Sequence, residues 1–535
     1  MTRRVGMLGV VLLVLGVVYA AAWRTQPAAS RAAARAQAQA QAGPHAAAVT
    51  SVTRTCPPPG PDTGAAHIAM IAMPSQAQGA KAGQTPTGAV ALNVVPAAPG
   101  QAAPVVGKKH PAATATPTQS GATSKPTSKP TSKASAGSTG TAQPVTVTVP
   151  GTPATVTAPG AALSGGTAVA ATGQMAEGFE AEQATSSGMG TVSCTYPGSD
   201  MWFVGTGAAA GAPDIRLYLM NTGDLAASVS LTILTDAGLQ NGPASAITVA
   251  PNQFVVQDMT QFVRGSGALA LRVQTTSGQV AASVWEDGGS GGAWLPQAAA
   301  PSTELVIPGL TVASSAARLF ITVPGANDAR VKVVAFTAQG LFPQFGGVPV
   351  DAPAGATSSF PLTSLGASAA ALELISNVPI AAGVLVPGEG IGSFTTAVAP
   401  VTQQGVVAGN PATKGLTVGL LLTAPGAAVR ANITVIPSGG SVASATAGGA
   451  QQVATVQAGH TVAVTVQRPP GGRQPFAIVI TPLAGSGPLY AARVVTTGTG
   501  GLSAPLLSLL PVPSALTAIT LPPAQQSYSA ILPEP

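Results

Sequence analysis

Residues 214–287 read DIRLYLMNTGDLAASVSLTILTDAGLQNGPASAITVAPNQFVVQDMTQFVRGSGALALRVQTTSGQVAASVWED. Apolar and polar residues alternate in Ser228–Leu234, Ala268–Thr275 and Val280–Trp285. Turn formers punctuate the runs at Asn221-Thr222-Gly223, Asp236-Ala237-Gly238, Pro251-Asn252 and Ser277-Gly278. A period of two with regular turn signals predicts half-buried strands stacked as two sheets.

The pattern returns twice. Leu217–Leu219 matches Leu319–Ile321 and, more loosely, Val418–Leu422. Ser228–Leu234 matches Arg330–Phe336 and Arg430–Ile436, and Ile247–Val249 matches Val348–Val350 and Val453–Val456. Leu269–Val273 matches Ala371–Ile375 and Phe476–Ile480, and Val280–Trp285 matches Ile380–Leu385 and Leu489–Val494. A spacing of about 100 residues suits one sandwich of about seven strands and exceeds a solenoid repeat. The expected fold is all-β: three tandem immunoglobulin-like β-sandwich modules at 161–300, 301–400 and 401–535, the last with a Pro-rich tail. A β-propeller-like arrangement is the alternative. Helix is disfavoured by 64 Gly and 49 Pro. Aromatics are only 4 %, so cores are expected to be small aliphatics, with contacts between modules adding stability.

Upstream the composition changes. Arg3-Arg4 precede the apolar run Val5–Ala22 and Arg24 follows it. Residues 1–23 read as a signal anchor that keeps the rest outside the cytoplasm, or as a signal peptide cleaved after Ala20-Ala21-Ala22. Residues 24–45 form an Ala/Gln/Arg stalk. Residues 46–96 carry three candidate strands and are expected to join the first module. Residues 97–160 form a Ser/Thr/Pro/Lys linker with repeated Thr-Ser-Lys-Pro, a composition that cannot bury a core.

Charged residues make up 7 % of the chain, against a usual ~25 %. The net charge of +6 is misleading: residues 1–160 hold 12 Lys+Arg and one acid, while the remainder holds 11 and 16. The folded part is mildly acidic and shows no basic face with interleaved aromatics, so nucleic acid is not an expected partner.

The two cysteines, Cys56 and Cys194, flank the linker. In an oxidising compartment they read as a disulfide; two free thiols are the other reading. If bridged, the linker becomes an insertion within a fold that includes residues 49–95.

Several runs have a familiar order: Met175–Gln183 (MAEGFEAEQ), Cys194–Gly205 (CTYPGSDMWFVG) and Leu217–Gly223 (LYLMNTG), with Cys56-Pro57 before them. With these, the chain resembles actinobacterial secreted or membrane-anchored proteins grouped as domain of unknown function 5719, over roughly residues 46–500. The resemblance implies an envelope location and matching cysteines, and no catalytic residue.

Chemical motifs are sparse. Gly288–Gly292 matches G-x-S-x-G in form, but it follows a strand as a glycine-rich turn, and the nucleophile motif needs a strand-to-helix elbow and a downstream His. Glu286-Asp287 reads as a solvated turn at a strand end, or at most a weak calcium contact. Glu177, Glu180 and Glu182 read as a solvated segment. His45, His67, His110 and His460 lack ligand spacing, so no metal or other cofactor is expected. Trp285 falls where the other copies have Leu385 and Val494, which predicts packing. Trp202-Phe203 is expected beside the disulfide. Trp294 is the candidate for a ligand contact. The function expected is that of a non-enzymatic, membrane-anchored envelope scaffold binding envelope proteins or wall glycans. A polysaccharide-binding accessory protein is the alternative, and a cryptic hydrolase a third reading.

Overall fold

The computed structural model describes residues 45–59, 66–74, 88–99, 149–157, 165–185, 190–208, 214–288, 291–311, 316–362, 365, 369–441, 451–469 and 474–521. Residues 1–44 and most of the expected linker lie outside them. Two compact units are present. One contains the antiparallel pair His45–Ala48 with Ala518–Leu521. The other, much the larger, spans Thr50–Thr517. Among its described residues the regular structure is strand apart from three single 3-10 turns, and no helix is long and apolar enough to cross a membrane.

The stretch Asp214–Asp287 builds two sheets. One runs, edge to edge, Gln253–Asp258, Asp214–Asn221, Ala281–Asp287, Gly292–Leu295. The other runs Gly238–Gln240, Ala227–Thr235, Leu269–Ser277, Asp200–Gly205. Alternation sends Ile215, Leu217, Leu219, Ala282 and Val284 of the first sheet into one core with Val229, Ile233, Leu271 and Val273 of the second.

The second repeat has the same order. Thr357–Pro361, Arg318–Thr322, the end of Ala370–Val386 and Ser393–Thr396 form one sheet. Gly340–Pro343, Ala329–Thr337, the start of Ala370–Val386 and Ser302–Leu310 form the other. The third repeat follows suit. One sheet holds His460–Thr465, Leu416–Ala424, Tyr490–Thr497 and Leu506–Val512; the other holds Gln451–Val456, Val429–Pro437, Phe476–Pro482 and Gly405–Asn410. Local chemistry repeats too. Thr235 and Thr337 each donate their hydroxyl to the carbonyl of the glycine three residues on, Gly238 and Gly340. Both glycines have positive φ (92° and 104°), which closes the turn.

A fourth copy exists that the sequence pattern does not separate. Ala154–Thr157, Ala66–Ala72, Phe179–Thr185 and Val192–Ser193 form one sheet, and Gly88–Val95, Gly166–Gly173 and Ser51–Cys56 the other. The strand order is that of the repeats; residues 100–148, which in sequence follow Gly88–Val95 as a short edge strand follows Ala227–Thr235, lie outside the described residues. Gly166–Gly173 and Phe179–Thr185 pair with strands of residues 46–96, the segment expected to join the first module. The expected linker also ends early: Ala154–Thr157 ends in three β-branched residues and pairs with His67–Met70.

The four units pack face to face in a closed ring. Val95 and Ala168 of the split unit meet Tyr218, Met220 and Trp285 of the first repeat. Trp202, Val204 and Leu234 of that repeat meet Phe320 and Ala381 of the second. Leu305 and Ile307 of the second meet Leu421, Ala492 and Val494 of the third. Val406, Ile436 and Val479 of the third return to Ala69 and Ile71 of the split unit. Two joints share a hydrogen-bond device. Thr357, paired with Thr322 (2.7 Å), donates to the Leu234 carbonyl (3.0 Å). Thr461, paired with Thr423 (2.8 Å), donates to the Phe336 carbonyl (2.8 Å).

Candidate functional site

The chemistry of the molecule is concentrated near the middle of this ring. In each unit the last strand in chain order stands at the edge of one sheet: Val192–Ser193, Gly292–Leu295, Ser393–Thr396 and Leu506–Val512. These strands, or the residues leading into them, line one open cleft of ≈ 410 Å³ to which all four units contribute. Its enclosed part has room for only one or two water-sized groups. Thr191, Trp294, Glu389, Ser393 and Ser508 lie along it. Glycine is required at 292 by close approach and favoured at 390 by a positive φ of 63°. A Cβ on Gly292 would sit 2.2 Å from the Trp285 ring, and one on Gly390 would sit 3.3 Å from the Gly291 Cα.

Trp294 is buried at 5 % exposure, so it offers no open stacking platform of the kind its sequence context suggested. Its ring lies 5.0 Å from that of Trp285 and 5.6 Å from that of Tyr218, because the face it stands on is covered by the split unit. It still lines the cleft, and its Nε1–H has no hydrogen-bond partner among the described residues. Trp285 packs, as its repeat position predicted. Trp202 lies in the joint between first and second repeats and Phe203 in the first repeat's core, rather than beside the disulfide.

Buried charges gather in the split unit and at its joint with the third repeat. The expectation that Glu177, Glu180 and Glu182 are solvated is overturned: they are 8, 6 and 2 % exposed. Arg54, on the strand Ser51–Cys56, pairs with Glu180. It also donates to the Phe179 carbonyl and to the Cys194 carbonyl (3.1 Å), and its guanidinium stacks 3.5 Å from the Tyr196 ring centre. Glu182 reaches into the third repeat, where the Ala408 and Gly409 N–H groups donate to its carboxylate at 2.9 and 3.0 Å. A register shift between Val407 and Asn410 turns these N–H groups toward it. Arg493, fully buried, interacts electrostatically with Glu182 and donates to Ser508 Oγ at 2.7 Å. Its Nε and Nη2 have no described partner.

Burial pushes the Glu180 carboxyl up to about 7, with Arg54 opposing and Glu182 assisting. Burial likewise raises Glu182, against the pull of Arg493 and the two backbone N–H donors. Glu286 is also inside, fully buried in the first repeat's core, not in a solvated turn. Alternation sends Glu286 inward and Asp287 outward. Thr206 donates to one of its oxygens, the other has no described partner, and burial pushes its carboxyl up to about 8.

Cys56 and Cys194 form a disulfide with Cα atoms 4.3 Å apart and 138 residues of separation. It joins the entry strand of the split unit to its exit, and backbone bonds between Thr55 and Thr195 (2.8 and 3.0 Å) run alongside. Ser51–Cys56, Ala66–Ala72 and Gly88–Val95, the described strands within 49–95, are part of the same fold, as the bridged reading required. Among the described residues no group of three or more His, Cys, Asp or Glu could hold a metal ion. Gly288 follows the strand Ala281–Asp287 directly; Gly289 and Ser290 lie outside the described residues.

These features define a class: an all-β protein of sandwich-like two-sheet units closed into a ring, with a disulfide across the unit that the chain completes in two pieces. The chain belongs to a family of unknown function (DUF5719), whose family model matches residues 165–467. The match begins at the strand Gly166–Gly173 and leaves out Cys56, so it covers less than the sequence resemblance had spanned. No curated protein and no solved structure matches the chain.

Proposed function

We propose that this chain is a non-enzymatic, extracytoplasmic envelope scaffold, held at the membrane through Val5–Ala22, whose ring presents edge strands to other envelope proteins. One observation carries this reading. Leu239, Leu341 and Val453 are 67, 63 and 53 % exposed. They stand on Gly238–Gln240, Gly340–Pro343 and Gln451–Val456, which are the equivalent edge strands of the three repeats. An exposed edge bearing large apolar side chains is a template for an added strand or loop. The units use their flat faces on one another, so edges are what they have left to offer. The Cys56–Cys194 bridge supports an oxidising compartment, and each unit reads as an immunoglobulin-like sandwich.

The alternative, a wall-polysaccharide accessory protein, would draw on the axial cleft, whose enclosed part is too small for a sugar ring. The test is a photo-crosslinking residue placed at Leu341 in intact cells, with the exposed turn residue Lys414 as control. Discrete protein adducts at 341 and not at 414 are expected. Polysaccharide adducts would favour the alternative. Identical adducts at both positions, or none, would count against an edge-strand scaffold.

A further inference from the structure

We propose that the axial cleft is a binding site for the carboxylate head group of a small ligand, seated between Trp294 and Ser508 with its remaining atoms in the open mouth. The inference is independent of the scaffold reading.

Unpaired donors point to an acceptor. Trp294 can only donate; it lines the cleft, and its buried indole N–H has no described partner. Ser508 lines the same cleft at 4 % exposure. Its oxygen already accepts from Arg493 Nη1, so its own hydrogen is free to be turned outward. Arg493 is fully buried and keeps two further N–H groups without described partners. A buried guanidinium behind the hydroxyl polarises it, and a charge-assisted chain of this kind favours an anionic acceptor. Among the buried charges at the ring closure, Arg54 and Arg493 stand against Glu177, Glu180 and Glu182, so there is no surplus of buried positive charge for a highly charged anion. The site therefore asks for a small, singly charged acceptor more than for a highly charged one.

Size and mouth narrow the choice. Room for one or two water-sized groups suits the two oxygens of a carboxylate and excludes a ring. Exposed Glu389 stands at the cleft and disfavours a dianion, while favouring a ligand with an ammonium beside its carboxylate. Leu509 and Phe394 supply apolar walls, which strengthens hydrogen bonds made against them.

The test is titration calorimetry on the oxidised protein with acetate, glycine, acetamide and inorganic phosphate as probes. Acetate and glycine are expected to bind saturably, glycine the tighter. Acetamide, which has the shape without the charge, and phosphate, mostly a dianion above neutral pH, are expected to bind at least about tenfold more weakly. Ser508→Ala should weaken acetate about tenfold. Since that change also strips Arg493 of its partner, Trp294→Phe provides a second variant that removes one N–H and keeps an aromatic ring; it should weaken acetate several-fold while the protein still unfolds in one cooperative transition, at a midpoint lowered by the smaller ring. Saturable acetate binding untouched by Trp294→Phe, acetamide binding as tight as acetate, or no heat from either carboxylate would each overturn the assignment.

Discussion

Replacing Glu286 by Gln should flatten the pH dependence of stability, and the size of the effect follows from where that side chain lies. Glu286 is fully buried in the core of the first repeat and meets one hydroxyl, that of Thr206. Burial lifts its carboxyl from 4.5 to about 8. A raised acid stabilises the fold while protonated, so its contribution is complete below pH 4.5. It declines as pH rises, because the unfolded chain ionises while the folded one holds its proton, and the decline levels off above about pH 8. At about 1.4 kcal/mol per pH unit, the window amounts to about 5 kcal/mol. Glutamine mimics the protonated acid, keeping an acceptor for Thr206 and carrying no charge. Denaturant unfolding of wild type and Glu286→Gln at pH values on either side of that window isolates the contribution of this one group. Glu180, raised by burial to about 7, slopes in the same sense in both proteins and cancels in the difference. Wild type is expected to lose up to about 5 kcal/mol more than the variant between the two ends. Parallel curves would show that Glu286 reaches water in solution and that burial does not hold its proton.

Replacing both cysteines by serine releases a closure of 138 residues; chain entropy puts the loss at about 5 kcal/mol, read as a lower denaturant midpoint and faster amide exchange in Ser51–Cys56 and Ala66–Ala72. Gly383→Ala places a Cβ 2.4 Å from the Val204 carbonyl at the joint of first and second repeats. It should cost about 1–3 kcal/mol, whereas Gly325→Ala, with nothing within 4 Å, should leave the midpoint within about 0.5 kcal/mol. Arg493→Met leaves Glu182 buried with its two backbone donors but without its cation and should cost about 3–5 kcal/mol. Adding Glu182→Gln should return part of that loss, and strict additivity in this double-mutant cycle would show that the two groups do not interact.

What was legible in the sequence, and what was not, divides along the distance over which each feature is decided. The three repeats could be read because a strand's face is set by its immediate neighbours: Leu217–Leu219 and Leu319–Ile321 alternate alike and take equivalent places. The fourth copy has the same strand order, yet a long tract separates Gly88–Val95 from Ala154–Thr157, and no fixed period survives the insertion. Burial of charge is decided still further away. Arg54 meets the Phe179 carbonyl across 125 residues and Glu182 meets Ala408 across 226, so Met175–Gln183 by itself looks like a wet segment. Trp294 shows the same limit: alternation fixes the face on which it stands, and a separate unit covers that face. One signal was nonetheless present. In a chain with 17 acids, Glu180 and Glu182 alternate with Phe179 and Ala181, Glu286 follows Val284-Trp285, and Arg493 sits within Tyr-Ala-Ala-Arg-Val-Val. All four occupy the same strand of the unit, the one beside the strand that lines the axis. Polarity placed inside apolar runs costs stability unless it is paired. Its recurrence at one topological position marks the centre of the ring as the place where this fold accepts that cost, and so as the place to look first for a ligand.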